Sequence, residues 1–226
     1  MMLRLAVLGL VLATTLVAEE GRTWRIMPIG DSITEGGSSF AVYRLPLAER
    51  LAAAGYRVTF VGSRVTATRM GPLAHEGYGG KNAEYLAMMV PPRFREHPAD
   101  IVLIHAGHNH TVEEHPVPGI VAATEAMIGG MRSVNPRVIV LLAQVIPSAK
   151  LPKYSYQPAL NQALADLAGR LHRPEAPVVS VDLATGFDPV ADTVADRVHP
   201  NPTGAGKMAD RWFAALVPWL ATPPKP

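Results

Sequence analysis

The chain has 226 residues, 48% hydrophobic and 18% charged, with a mean hydropathy of +0.14; this excludes a disordered chain, which buries too little apolar surface to offset its ordering entropy, and the length suits one domain with a full core. Lys and Arg number 21 against 19 Asp and Glu, with no basic run despite a pI near 9.0, which argues against a partner read through nucleic-acid phosphates. Cys is absent, which excludes a disulfide scaffold, thiolate metal sites and a Cys nucleophile.

Arg4 precedes an apolar run from Leu5 to Val17, followed by Ala18-Glu19-Glu20. A basic start, an apolar core and a small residue before a polar break read as a secretory signal peptide, cleaved after Ala18. The run is shorter than the roughly 20 residues a membrane span needs. The expected organisation is a signal peptide at 1–18 and a single domain at 19–226, secreted or periplasmic, with no stable membrane insertion after signal removal.

From residue 24 onward, apolar runs alternate with helical patterns. Trp24 to Ile29 reads as a strand ending at Gly30. Tyr43 to Ala54 reads as a helix stopped by Gly55, and Arg57 to Val61 as a second strand, followed by a long loop. Asn82 to Val90 is helical, stopped by Pro91-Pro92. Ile101 to His105 is a short buried strand, Val117 to Val134 a helix, and Val138 to Val145 a nearly all-apolar strand covered on both faces. Pro158 to Leu171 is a helix and Val178 to Val181 the fifth strand. Asn201-Pro202 opens a last helix, with Asn as N-cap and Pro at the first helical position, running to about Leu216. Five strands alternating with helices imply a parallel sheet with helices on both faces, and sites in such sheets form at the C-terminal strand ends.

The polar residues at those ends are the candidates for chemistry. Ser32 follows the first strand behind Gly30, with a helix N-cap as its plain alternative role. Asp196 and His199 stand three apart, a spacing at which the carboxylate can accept the imidazole Nδ1 proton and leave Nε2 for a serine. Asn109, behind Gly107, offers an amide donor, and Gly80 a backbone N–H. Together with the Ser32 N–H they would form a three-donor oxyanion hole.

Ile29-Gly30-Asp31-Ser32-Ile33-Thr34-Glu35-Gly36 resembles the first block of the SGNH, or GDSL-type, hydrolases. Glu76-Gly77-Tyr78-Gly79-Gly80 is similar to the second block, with the donor placed at Gly80 and Gly79 as the second choice. Gly107-His108-Asn109-His110 matches the third, with His110 where the family usually has Asp, and Asp196 to Asn201 matches the last. The acetylxylan-esterase-like branch of carbohydrate esterases is suggested by Arg25 to Ile29, Ala54 to Ser63 and His75-Glu76-Gly77. The resemblance implies a three-layer α/β/α sandwich, flavodoxin-like, with a five-stranded parallel sheet. It implies a secreted serine esterase acting on small acyl esters, foremost acetyl, of a small-molecule or polysaccharide carbohydrate substrate. Ser32, Asp196 and His199 would be catalytic, Ser32, Gly80 and Asn109 would line the oxyanion hole, and no metal or organic cofactor is implied. The alternatives are a lysophospholipase- or thioesterase-like SGNH hydrolase and a non-catalytic sugar-binding protein on the same fold.

Other readings compete less well. His105, His108, His110 and His115 crowd one stretch, as metal ligands can, but no His-Glu-x-x-His spacing is present. His105 is expected to pack at a strand end, and His110 and His115 to lie on a solvated loop. The Gly-x-Ser-x-Gly elbow of α/β-hydrolases is absent. Asn109-His110-Thr111 is formally a glycosylation sequon, read as a chance match. Met88-Met89 reads as core filling, and Lys150 to Tyr156 equally as a pocket border or a connecting loop.

Overall fold

The computed structural model describes residues 22–221. The expected signal peptide and the Pro-rich C-terminal tail lie outside the described residues. Four parallel strands dominate the centre: β1 (Trp24–Gly30), β5 (Ile101–His105), β6 (Ile139–Gln144) and β7 (Val178–Asp182). A short parallel strand, β2 (Val58–Phe60), pairs with the start of β1, Trp24 lying opposite Val58. These five give the flavodoxin-like order 2-1-5-6-7 by chain number.

The sheet is larger than the five strands expected from the sequence. The stretch after β2 is an antiparallel hairpin, β3 (Arg64–Thr68) with β4 (Gly71–Gly77), which brings the sheet to seven strands among the described residues. β4 runs parallel to the far end of β1, with Ile29 opposite Glu76 and Gly30 opposite Gly77. The hairpin escapes sequence reading because β3 has no apolar face: Val65 is 60% exposed, so little period-two signal remains.

Two apolar layers cover the sheet. Helices α3 (Ala83–Glu96), α4 (Val117–Arg132) and α5 (Gln157–Leu171) pack on Met27, Ile29, Val102, Ile104, Val140 and Leu142. On the opposite face, α2 (Arg44–Ala53) and α6 (Pro202–Leu220) pack on Trp24, Ile26, Ile101, Leu103, Leu141 and Val181. Alternate residues of β5 therefore serve opposite cores, which explains its unbroken apolar run. Trp212 of α6 is fully buried in the second layer. The short helix α1 (Ser32–Glu35) follows β1 directly.

Two helix ends differ from expectation. α3 continues through Pro91 and Pro92 to Glu96, because Val90 and Phe94 are both fully buried and hold the chain against the core. A Cβ on Gly130 of α4 would lie 2.7 Å from Pro91 Cγ, so the glycine allows the prolines to dock. Met88 of the same helix faces solvent at 64% exposure, contrary to its reading as core, whereas Met89 does pack on the core. α6 likewise runs past Pro218 to Leu220. Among the described residues no helix is long and apolar enough to cross a membrane.

Chain order reverses at β1, whose neighbours are β2 and β4 on one side and β5 on the other. The C-terminal ends of β1 and β5 meet there, with Gly30 opposite His105. This crevice is where the fold offers a site.

Candidate active site

β1 ends at Gly30, where a Cβ would fall 2.3 Å from the His105 carbonyl oxygen and 2.4 Å from Thr34 Oγ1, so only glycine lets the chain turn beneath β5. Asp31 then caps α1, its Oδ1 accepting the Ile33 N–H at 2.9 Å. The cap is thus Asp31 and not Ser32. Ser32 takes the first helical position, where the backbone N–H has no helical acceptor, and its side chain is left for other work. Its Oγ lies 2.7 Å from His199 Nε2.

His199 comes from the loop before α6, 167 positions away. That loop is tightly wound: the Val194 N–H donates to the His199 carbonyl at 2.9 Å, and Arg197 sits in the left-handed region at φ 61°. Asp196 Oδ1 accepts the backbone N–H groups of Val198 (2.8 Å) and His199 (3.0 Å), and Oδ2 lies 2.6 Å from His199 Nδ1. Partial burial alone would raise the Asp196 pKa. The His199 ring and the two N–H groups outweigh it and hold the carboxyl below its usual range. Asn201 closes the loop, accepting the Gly204 N–H at 3.0 Å as N-cap of α6 while its amide donates to the Ala191 and Thr193 carbonyls. Ser32, His199 and Asp196 thus form one hydrogen-bonded chain.

β4 delivers the Gly79-Gly80 turn against α1. A Cβ on Gly79 would lie 3.8 Å from Ser32 Cβ, and the Gly79 N–H donates to Glu35 Oε2 at 2.5 Å. Gly80 is left-handed at φ 73°, and its N–H has no acceptor among the described residues. The Gly79 N–H is thus committed to Glu35, whereas the Gly80 N–H is not. Asn109 is half-buried at the end of the β5 loop. Its Nδ2 donates one hydrogen to the Lys81 carbonyl at 2.9 Å, which places it beside the same turn and leaves its second amide hydrogen over.

His110 is buried, contrary to its expected place on a solvated loop. Its Nδ1 lies 2.8 Å from Glu114 Oε2 and its Nε2 3.0 Å from Glu84 Oε2, so it fastens the Asn109 loop to α3. His105 and His108 are buried with rings stacked at 5.3 Å, and His115 is exposed. Burial pushes His105 well below its usual range and His108 down to about 4. Among the described residues no group of three or more His, Cys, Asp or Glu is arranged to hold a metal ion.

Several contributors lie outside the sequence-level candidates. Asp31 is buried, and that burial pushes its carboxyl up to about 6. Arg44 is a buried clasp: its guanidinium donates to the Thr34 (2.7 Å) and Glu35 (2.8 Å) carbonyls, Thr66 Oγ1 (2.9 Å) and the Leu73 carbonyl (3.3 Å), joining α1 to the hairpin. Arg64 donates to Glu35 Oε1 and holds that carboxylate from the far side. Phe40 stacks on the His199 ring. Glu35 stood within the first block without a role, whereas nothing short of tertiary structure marks Phe40. Within Lys150 to Tyr156, Leu151 and Tyr154 line a groove of about 550 Å³, whose Ser148 donates to the Arg197 carbonyl at 2.6 Å.

Residues 29–207 match the GDSL-like lipase/acylhydrolase family. The chain belongs to that family. As a GDSL-like acylhydrolase it has solved structural neighbours among esterases. An acetyl esterase mutant with acetate ion shares 25% identity and a TM-score of 0.77, over 88% of this chain and 98% of that one. A carbohydrate esterase family 3 protein from Talaromyces cellulolyticus shares 26% at the same TM-score and coverage. A family 3 carbohydrate esterase from Clostridium thermocellum shares 26% at a TM-score of 0.75, also covering 88% and 98%. No protein of curated function matches this GDSL-like chain by sequence.

Proposed function

We propose that this acylhydrolase is a serine esterase that removes small acyl groups, foremost acetyl, from carbohydrates. The observation that carries the reading is the continuous chain from Ser32 Oγ through His199 (2.7 Å) to Asp196 (2.6 Å) at the sheet's switch point. The three neighbours named as acetyl or carbohydrate esterases support the substrate class.

In this mechanism His199 Nε2 takes the Ser32 proton as Oγ attacks the ester carbonyl, and Asp196 orients the ring and stabilises its imidazolium form. The N–H groups of Ser32 and Gly80 and the Asn109 amide hold the oxyanion. His199 returns the proton to the leaving alcohol, which departs as the acyl-enzyme forms. Water then attacks the acyl-enzyme, giving a proton to His199. The acid leaves and the proton returns to Ser32. The chemistry uses this chain's own side chains and backbone. The Leu5–Val17 run supports export, and residues 19–226 are read as one secreted or periplasmic domain.

Ser32→Ala and His199→Ala each lower kcat on p-nitrophenyl acetate by about 10⁴-fold or more, with unchanged circular dichroism. Near-full activity in Ser32→Ala would sink the assignment. Acetyl, butyryl and longer acyl esters, tested beside acetylated xylan and acetylated monosaccharides, separate a sugar deacetylase from a lysophospholipase- or thioesterase-like enzyme.

A further inference from the structure

The ring of Phe40 lies on the His199 imidazole, with centroids 4.1 Å apart and planes inclined by 23°. Two features hold it there. The Ala41 N–H donates to the Pro200 carbonyl at 3.1 Å, which ties the Phe40 loop to the residue after His199. On another side the ring abuts the Gly37 backbone so closely that a Cβ there would lie 2.6 Å from Phe40 Cε1 and 3.0 Å from Cζ. Gly37 is therefore the residue that leaves room for the ring.

The edges of the imidazole are already committed. Nδ1 faces Asp196 Oδ2 and Nε2 faces Ser32 Oγ. Buried Asp31 and His108 also act on the ring through space. Phe40 covers a face. An aromatic face carries negative charge density and attracts an imidazolium more than a neutral imidazole. The ring of His199 is neutral in the resting triad and charged while it holds the serine proton, so the contact strengthens as the reaction proceeds, the condition for speeding the chemical step.

We propose that Phe40 is a positioning residue that stabilises the charged form of His199 and fixes its ring plane for the serine. The inference rests on His199 being the general base of the proposed function.

The test compares pH profiles of kcat/KM on p-nitrophenyl acetate for the wild-type chain, Phe40→Leu and Phe40→Tyr, with Ser32→Ala as control and thermal melts to check folding. Phe40→Leu keeps apolar bulk but loses the aromatic face. It lowers kcat about three- to tenfold with little change in KM, and it moves the acid limb of the profile to lower pH by about half a unit to one unit, because the charged ring has lost a partner. Phe40→Tyr restores both. An unchanged acid limb in a folded Phe40→Leu, with Ser32→Ala inactive, overturns the inference and leaves the esterase reading standing. Activity surviving in Ser32→Ala overturns both.

Discussion

Glu35 Oε2 accepts the Gly79 N–H at 2.5 Å, so the turn that carries Gly80 is fastened to the same short helix that carries Ser32. The proposed nucleophile and the proposed oxyanion donor thus share one anchor. Glu35→Ala releases the turn and lowers kcat about 10- to 100-fold with KM within about twofold, since a misplaced donor costs mainly in the transition state. Glu35→Gln keeps a carbonyl acceptor for Gly79 and loses less. Steady-state kinetics on p-nitrophenyl acetate check this, and equal losses in both variants would argue against the anchor.

Asp196→Asn keeps an oxygen for the Val198 and His199 N–H groups but can turn an amide donor towards His199 Nδ1. The imidazole then carries its proton on Nε2 and cannot accept one from Ser32. The expected loss in kcat is about 10⁴-fold with the fold intact. A loss below tenfold would mean that Asp196 does not set the tautomer.

Asp31 and His108 make opposite demands on pH. Asp31 Oδ2 and His108 Nδ1 lie 3.9 Å apart, buried, and neither has a hydrogen-bond partner among the described residues. Burial lifts Asp31 from 3.8 to about 6, so its contribution to stability is full below about pH 3.8 and is lost as pH rises through 6. Burial depresses His108 from 6.5 to about 4, so its contribution is full above about pH 6.5 and is lost as pH falls through 4. The two slopes offset each other over one window. Asp31→Asn removes the first and supplies an amide donor for His108 Nδ1. The variant is expected to be more stable than wild type at pH 8, by about 2–3 kcal/mol, and to lose stability more steeply between pH 6.5 and 4. Urea unfolding at pH 8, 6.5 and 5 measures both effects, and a less stable variant at pH 8 would refute the account.

Arg44 donates to three carbonyls and to the Thr66 hydroxyl, joining α1 to the hairpin. Arg44→Met fills similar space but takes the donor away from the Thr34, Glu35 and Leu73 carbonyls. The expected cost is about 3–5 kcal/mol, read as a fall in Tm of about 10 °C. A change of Tm under about 2 °C would show that water replaces the guanidinium.

Sequence alone was enough wherever chemistry is local. Asp196 and His199 bond each other because they stand three positions apart, and Gly30, Asp31 and Ser32 make a strand-to-helix turn from adjacent positions. The central strands β5 and β6 announce themselves because they are buried on both faces, as the unbroken run Ile101 to His105 shows. Tertiary structure decided what depends on distant surroundings. Pro91 and Pro92 stay helical because Phe94 finds a core and Gly130 leaves room. β3 has no apolar face to betray the hairpin, yet β4 sets the Gly79-Gly80 turn beside Ser32. His110 is buried where Glu84 of α3 meets its ring from another segment, and Phe40 reaches His199 only through closure of the chain. Hydrophobic period and turn chemistry are carried by neighbours in the chain, whereas burial and charge environment belong to the assembled fold.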